Sequence, residues 1–284
     1  MSARRIGIVG AGTMGRGLCV ALTAAGFEVV LVDRSSEVLK RSRALLRDEV
    51  RTAALFSGRR LDVQELLARA DLTTSLDDLA DVEAVLENAT ERWQVKQPIY
   101  EALDRICRAD AWFGVNTSAI SITRLAALTE RPAQVVGMHF MNPAPLKPTV
   151  EVIRGHHTSE ETLAAARGLV ADLDKQSIVV DDSPGFVTNR VMMLMINEAI
   201  YLLHEGVASA KEIDRLFVQC FGHAMGPLET ADLIGLDTVL LSIEVLYDSF
   251  KDSKYRPCPL LTRMVDAGLH GRKTGEGFFN YLGG

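Results

Sequence analysis

One histidine and one glutamate carry the side chains best suited to proton transfer in this sequence. His139 ends the apolar run of residues 135–138, and Glu151 lies inside a second, β-branched run after three prolines. Prolines impose extended backbone, so two strands joined by a loop would bring the carboxylate beside the imidazole. A carboxylate on the second ring nitrogen fixes the tautomer and makes the imidazole a better base. The spacing therefore predicts an acid/base pair, and a core histidine in a surface ion pair is the alternative.

A glycine-rich turn near the start of the chain predicts a binding site for a second molecule that takes part in this chemistry. Residues 5–9 (RIGIV) form a short apolar run, and GAGTMG follows before a helical pattern. In such a strand–turn–helix, Gly10 permits the tight turn, Gly12 lets the backbone approach a pyrophosphate, and Gly15 allows close packing of helix on strand. The helix N-terminus supplies free N–H groups for the phosphates. The order predicts a Rossmann-type dinucleotide site rather than a structural turn.

The acid that follows the next strand bears on which dinucleotide binds. Residues 28–32 (EVVLV) form that strand, and Asp33 ends it. A carboxylate there accepts the ribose hydroxyls and repels a 2'-phosphate, which favours NAD over NADP. Arg34 beside it either stacks on the adenine or weakens that preference.

Polar residues also follow two later strands, predicted at 82–86 and 111–115. Glu87, Asn88 and Glu91 come after the first, and Asn116 and Ser118 after the second. Open α/β sheets bind ligands at the carboxyl ends of their strands, so Asn116 and Ser118 are expected to face the crevice. The alternative makes them a cap for a helix starting near residue 121.

The elements that position these residues alternate between strand and helix as far as residue 182. A helical pattern covers 36 to about 70, and its arginines read as a solvated face, whereas Arg59 and Arg60 in the turn suit the phosphates of coenzyme A or phosphopantetheine. Further predictions are strands at 71–73 and 177–180 and helices at 93–107, 159–174, 186–204, 209–221, 235–250 and 258–268. The expected fold is α/β: a doubly wound, mostly parallel Rossmann-type sheet in 1–182 and an all-α dimerisation and substrate domain in 183–284. The helix at 186–204 is apolar on nearly all sides, which predicts burial partly by a partner subunit.

Composition excludes several other classes of protein. The 284 residues carry a net charge of -6, which argues against a nucleic-acid surface formed by bulk charge. The four cysteines lie far apart and form no CxxC, so neither a disulfide framework nor a metal site is expected. With no signal peptide and no apolar run near twenty residues, the sequence predicts a soluble cytoplasmic protein.

Seven motifs in order resemble the 3-hydroxyacyl-CoA dehydrogenase family, especially its compact bacterial 3-hydroxybutyryl-CoA dehydrogenase members. They are GAGTMG with Asp33, NTS at 116–118, MHFMNPAP at 138–145, VEVIRG at 150–155, SPGFVTNR at 183–190, MGPLETADLIGLD at 225–237 and GRKTGEGFFNY at 271–281. The resemblance covers essentially the whole chain. It implies NAD-dependent oxidation and reduction of short 3-hydroxyacyl thioesters by a homodimer.

The resemblance also implies roles for individual residues. His139 is the catalytic base, Glu151 orients it, and Ser118 and Asn189 hold the 3-hydroxyl and the thioester carbonyl. The remaining assignments are Gly10, Gly12, Thr13, Met14, Gly15, Asp33, Arg34, Glu91, Lys96 and Asn116 for the cofactor, and Asn142, Arg59 and Arg60 with Ser118 and Asn189 for the substrate.

Departures from the family pattern leave the substrate open. Met141 stands where a second phenylalanine is usual, Ala119 where a second serine is common, and Pro148 where a lysine is frequent. ENATERW, APLKPTVEVIRG and RPCPLL look more like a subgroup of polyketide extender-unit formation, which acts on glyceryl-type units carried by an acyl carrier protein. Two other classes fit less well: dehydrogenases of the 6-phosphogluconate or 3-hydroxyisobutyrate type, which rely on a lysine, and a non-enzymatic NAD-binding crystallin.

Overall fold

The computed structural model describes residues 4–57 and 61–282. The chain divides into two compact units, Met1–Asp182 and Ser183–Gly284. No helix in the described ranges is both long enough and apolar enough to cross a membrane.

An eight-stranded sheet forms the centre of the first unit. Its strand order is β3-β2-β1-β4-β5-β6-β7-β8, and every pair is parallel except β6 with β7. This confirms the predicted fold class, a mostly parallel sheet of the Rossmann type. The strands are β1 Arg5–Val9, β2 Glu28–Val32, β3 Ala70–Thr73, β4 Ala84–Glu87, β5 Trp112–Val115, β6 Val135–Phe140, β7 Thr149–Arg154 and β8 Gln176–Asp181.

Helices cover the sheet because its central strands are apolar on both faces. Ile6 and Ile8 of β1 and Leu31 of β2 are fully buried, and Leu18 and Leu22 pack in the same core. The helices of this unit are α1 Thr13–Ala24, α2 Ser36–Ser57, α3 Val63–Ala68, α4 Trp93–Ile106, α5 Ile122–Ala126 and α6 Glu160–Asp172, with short 3-10 turns at Leu76–Leu79 and Pro132–Gln134.

The stretch from 36 to about 70, where the sequence predicts a helical pattern and a turn that holds Arg59 and Arg60, contains the two helices α2 and α3. The side chain of Asp62 accepts hydrogen bonds from the N–H groups of Gln64 and Glu65 and so begins α3 as a separate helix.

The second unit is built from helices. They are α7 Thr188–His204, α8 Ala210–Phe221, α9 Pro227–Ile234, α10 Leu236–Phe250 and α11 Pro259–Asp266, with a 3-10 turn at Ser253–Tyr255. The sequence prediction missed α9. Gly235, at φ +101°, separates it from α10, and the Asp214 carboxylate accepts from the first N–H groups of α9 at Leu228 and Glu229.

Helix α7 is not buried on every side within one chain. Met193 and Ile196 are buried in the core of this unit, whereas Val191 is 63% exposed. Burial of the exposed side by a partner subunit remains a prediction.

Candidate functional site

The residues at the crevice form a line of three side chains, Ser118, His139 and Glu151. In the antiparallel pair of β6 and β7, His139 lies directly opposite Glu151. The imidazole Nδ1 is 3.0 Å from Glu151 Oε2, and Nε2 is 3.1 Å from Ser118 Oγ. His139 and Glu151 are 7% and 5% exposed. The strand register, rather than a flexible loop, therefore holds the base and its carboxylate together.

This line can perform two kinds of chemistry. A proton on Nδ1 faces the carboxylate, which leaves Nε2 to accept a proton from a hydroxyl. If that hydroxyl belongs to a bound substrate, His139 is a general base. If it belongs to Ser118, the same line would activate a serine nucleophile for acyl transfer. Which of these two reactions the chain performs depends on the other binding sites around the three residues.

Glu91 holds the loop that carries Ser118. Its Oε1 accepts hydrogen bonds from the backbone N–H groups of Ser118 and Ala119, both at 3.1 Å, and from the hydroxyl of Thr117. A carboxylate that accepts several N–H groups is a strong anchor for a loop. The structure thus places Glu91 against this loop, a contact that the sequence did not predict.

The side chain of Asn116 ties three strands together. Its amide donates to Asn88 Oδ1 at 2.6 Å, and its Oδ1 accepts from the backbone N–H of Phe140 at 3.2 Å. Phe140 follows His139 on β6. Asn116 is therefore neither the helix cap of the alternative reading nor a free polar group. The residue that caps α5 is Ser121, whose Oγ accepts from the N–H of Arg124.

A buried ion pair lies behind Asn116. Lys96 Nζ is 2.8 Å and 3.0 Å from the two carboxylate oxygens of Glu87, and 3.3 Å from the carbonyl of Asn116. Both side chains are completely buried. Lys96 thus contacts Glu87 and the backbone of Asn116 directly, and its assignment to the cofactor stays a prediction.

Tyr100 completes that buried cluster and was missed from the sequence. Its hydroxyl donates to Glu87 at 3.3 Å. Burial, and then the charge of Glu87, raise the pKa of Tyr100 well above its ordinary value, so the phenol remains a donor. A tyrosine four residues after a lysine in an amphipathic helix carries no signal for such a partner.

The glycine turn leaves open space where a dinucleotide phosphate would lie. Gly10 has φ +98°, and a Cβ on Gly15 would lie 1.8 Å from the carbonyl oxygen of Gly10. Apart from its two chain neighbours, no heavy atom of the described residues lies within 4 Å of a Cβ built on Gly12. Helix α1 begins there with no side-chain cap and no acid in its first turn. Its N–H groups are thus available for an anion, and Thr13 and Met14 open the helix.

Asp33 lies beside this turn. Its carboxylate accepts from the N–H of Ala11 and from that of Ser35, both at 3.0 Å. These bonds fix the side chain at the end of β2, where the ribose of a dinucleotide would be bound. Arg34, the next residue, is exposed.

A cavity of about 260 Å³ opens between the glycine turn and the proline-rich loop. Thr13 and Gly17 of α1 line one side, Thr52 and Ala53 of α2 another, and the loop of residues 142–146 the third. Asn142 thus lines a space that reaches the start of α1.

The other predicted site residues lie elsewhere. Asn189 is in the first turn of α7, within the second unit. Arg59 and Arg60 lie outside the described residues.

Comparison with known proteins identifies related sequences along the whole chain. Residues 5–183 match the family described as 3-hydroxyacyl-CoA dehydrogenase, NAD binding domain, and residues 185–281 match its C-terminal domain. A 3-hydroxybutyryl-CoA dehydrogenase of Bradyrhizobium diazoefficiens is 45% identical over 99% of this chain and 96% of its own. A probable 3-hydroxybutyryl-CoA dehydrogenase of Bacillus subtilis is 42% identical over 99% and 98%.

Solved structures also resemble this chain over nearly its whole length. The crystal structure of (S)-3-hydroxybutyryl-CoA dehydrogenase PaaH1 from Ralstonia eutropha superposes with a TM-score of 0.92 at 45% identity, covering 99% of each chain. FadB2 of M. tuberculosis has a TM-score of 0.95 at 35% identity, covering 99% of this chain and 100% of its own.

Proposed function

The chain belongs to the 3-hydroxyacyl-CoA dehydrogenase family, and from that premise we propose that it interconverts a short (S)-3-hydroxyacyl-CoA and the 3-oxoacyl-CoA with NAD. The observation that carries the proposal is the line from Ser118 through His139 to Glu151, in the same sheet as the glycine turn. The turn favours oxidoreduction over acyl transfer by Ser118, because a nucleophilic serine would have no use for a dinucleotide.

The residues of the turn fit a dinucleotide. The space beside Gly12 and the uncapped start of α1 accommodate the phosphates, and Asp33 is held where it would accept the ribose hydroxyls. When bound, the nicotinamide accepts or gives the hydride. Because Asp33 would repel the 2'-phosphate of NADPH, we expect the chain to use NADH in preference to NADPH.

His139 moves the proton that accompanies the hydride. In oxidation, Nε2 takes the proton from the 3-hydroxyl of the substrate. That hydroxyl would lie within hydrogen-bond distance of both Nε2 and Ser118 Oγ. Glu151 stabilises the positive charge that develops on the imidazole. In reduction, His139 returns the proton to the oxygen at C3. In this proposal Ser118 binds the 3-hydroxyl and Asn189 the thioester carbonyl.

The purified chain is expected to oxidise NADH when acetoacetyl-CoA is added. The loss of NADH absorbance measures this, with NADPH as the comparison for the role of Asp33. NADH turnover that depends on the thioester supports the proposal, whereas release of free coenzyme A without NADH loss would point to acyl transfer instead.

One observation favours a carrier protein as an alternative bearer of the acyl group. Lys40, Arg43, Arg47 and Arg51 are exposed and recur on successive turns along one side of α2, although the chain as a whole has a net charge of -6. Two of the four, Lys40 and Arg51, are paired with Glu37 and Asp48 on the same helix. The same helix lines the 260 Å³ cavity through Thr52 and Ala53. Such a stripe complements an acidic protein that delivers a phosphopantetheine arm.

The NADH assay separates the two substrate forms. A carrier-bound 3-oxoacyl thioester used better than the coenzyme A thioester, with an advantage that disappears at high salt, supports the carrier. Equal or better use of coenzyme A at every salt concentration contradicts it.

A homodimer through the helical unit is part of the same proposal. Its support is the apolar side chains that the unit leaves in contact with solvent, among them Val191, Leu216 and Phe221, which are 63%, 57% and 70% exposed. Light scattering at about twice the chain mass of 31.0 kDa would support the dimer, and a monomer at micromolar concentration would contradict it.

A further inference from the structure

The loop that carries Ser118 is held at both ends by a carboxylate. Glu91 accepts the N–H groups of Ser118 and Ala119 at one end. At the other end, Asp182 Oδ2 accepts the hydroxyl of Ser121 and the N–H of Thr123, both at 2.8 Å. The hydroxyl of Ser121 accepts in turn from the N–H of Arg124. Asp182 therefore fixes the point where the loop enters α5.

The backbone of Asp182 is itself fixed to the sheet. Its N–H donates to the carbonyl of Arg154 at 2.9 Å. Arg154 ends β7, the strand on which Glu151 faces His139. Through one residue, the Ser118 loop is thus connected to the strand that orients the base. This connection sets the loop's position relative to His139.

Holding the loop with the carboxylate of Asp182 lowers the stability of the folded chain. Its Oδ1 is buried and makes no hydrogen bond to any residue in the part of the chain that the structure describes. A buried acceptor without a partner lowers stability, whereas the charged oxygen beside it makes stronger hydrogen bonds than a neutral amide oxygen would. A carboxylate at such a position is better explained by a demand for exact placement of what it holds.

We propose that Asp182 is a positioning residue that sets the distance between Ser118 and His139 through Ser121 and the start of α5. The inference rests on the proposed function, in which Ser118 binds the 3-hydroxyl whose proton His139 takes. The contacts of the Asp182 carboxylate are with Ser121 and Thr123. Asp182 acts by keeping the 3.1 Å separation of Ser118 Oγ from Nε2. Its effect should therefore appear in catalysis only while the Ser118 hydroxyl is present.

Asp182→Asn is the first test, and the neighbouring acid provides the control. The side chain of Asp181 is 93% exposed and its nearest cation, Arg154, is 4.0 Å away. We expect Asp182→Asn to lower kcat/KM about 10-fold, because a small displacement of a positioning group costs up to roughly 10²-fold. Asp181→Asn, the same chemical change one residue earlier, should alter it less than about 2-fold. Both variants should bind NADH like the parent chain.

A double-mutant cycle with Ser118→Ala separates positioning from general damage. If Asp182 acts through Ser118, adding Asp182→Asn to Ser118→Ala should lower kcat/KM by less than about 2-fold further. A full further loss of about 10-fold would mean that the two residues act independently, and it would overturn the proposal.

Amide hydrogen exchange gives a readout that does not depend on activity. Asp182→Asn should speed exchange in residues 117–126 and leave β6 protected, whereas Asp181→Asn should change neither. If Asp182→Asn does not fold, Ser121→Ala removes one of the two donors and should show the same local pattern. Unchanged exchange in 117–126 overturns the inference even in an active enzyme. The same local change in a chain without NADH turnover would leave the placement standing and overturn the proposed function.

Discussion

Replacement of His139 by glutamine is expected to lower kcat by roughly 10² to 10⁴-fold while NADH binding stays close to that of the parent chain. Glutamine keeps a polar side chain of similar size but cannot take the proton from the 3-hydroxyl. Because His139 is on β6 and the glycine turn follows β1, the dinucleotide should still bind. Steady-state NADH oxidation with acetoacetyl-CoA and fluorescence titration of NADH measure the two quantities.

His157 provides the matched control. It is an exposed histidine in the loop after β7, so His157→Gln makes the same chemical change away from the crevice. That variant should turn over like the parent. If His139→Gln also keeps near-parental kcat, His139 is not the base.

Among alanine substitutions of the described glycines in the first unit, Gly15→Ala is expected to have the largest effect on the structure. Its Cβ would lie 1.8 Å from the carbonyl oxygen of Gly10, so the turn or the start of α1 must move. We expect a loss of about 3 kcal/mol in the free energy of unfolding and no measurable NADH binding. Denaturant unfolding and NADH titration test the two parts.

Gly12→Ala and Gly168→Ala make the effect of Gly15→Ala interpretable. A Cβ on Gly12 meets no heavy atom within 4 Å in residues 4–57 and 61–282, its chain neighbours aside, so stability should stay within about 0.5 kcal/mol while NADH binding weakens about 10-fold. A Cβ on Gly168, inside α6, likewise meets no described atom within 4 Å outside the backbone of its own helix, and this alanine should change neither NADH binding nor turnover. Parental NADH binding by Gly12→Ala would remove the dinucleotide from this turn.

The strands of the sheet could be predicted because each one is marked by the residues of its own short segment. Runs such as RIGIV and EVVLV are apolar on both faces, which is the pattern of parallel strands covered by helices, and Asp33 ends the second of them. The return of Glu151 beside His139 followed from two apolar runs joined by a proline-rich loop. In the structure the two residues face each other in the β6–β7 ladder.

The parts that sequence reasoning missed depend on partners far away along the chain. Lys96 was assigned to the cofactor from the resemblance alone, and its burial against Glu87 at the end of β4 was not predicted. The anchoring roles of Glu91 and Asp182 depend on backbone N–H groups 27 and 59 residues away, and backbone groups leave no mark in the sequence. Helix α9 was missed, although it begins at Pro227 and proline is well suited to the first position of a helix.

The most direct test of the central claim follows the hydride itself. Acetoacetyl-CoA is incubated with the chain and NADH in which both hydrogens at C4 of the nicotinamide are replaced by deuterium, and the acyl product is analysed by mass spectrometry. Transfer of hydride assisted by His139 predicts a 3-hydroxyacyl product with one deuterium at C3, formed by the parent chain and lost with His139→Gln. A product without deuterium at C3, or release of the acyl group as a free acid, would contradict the account.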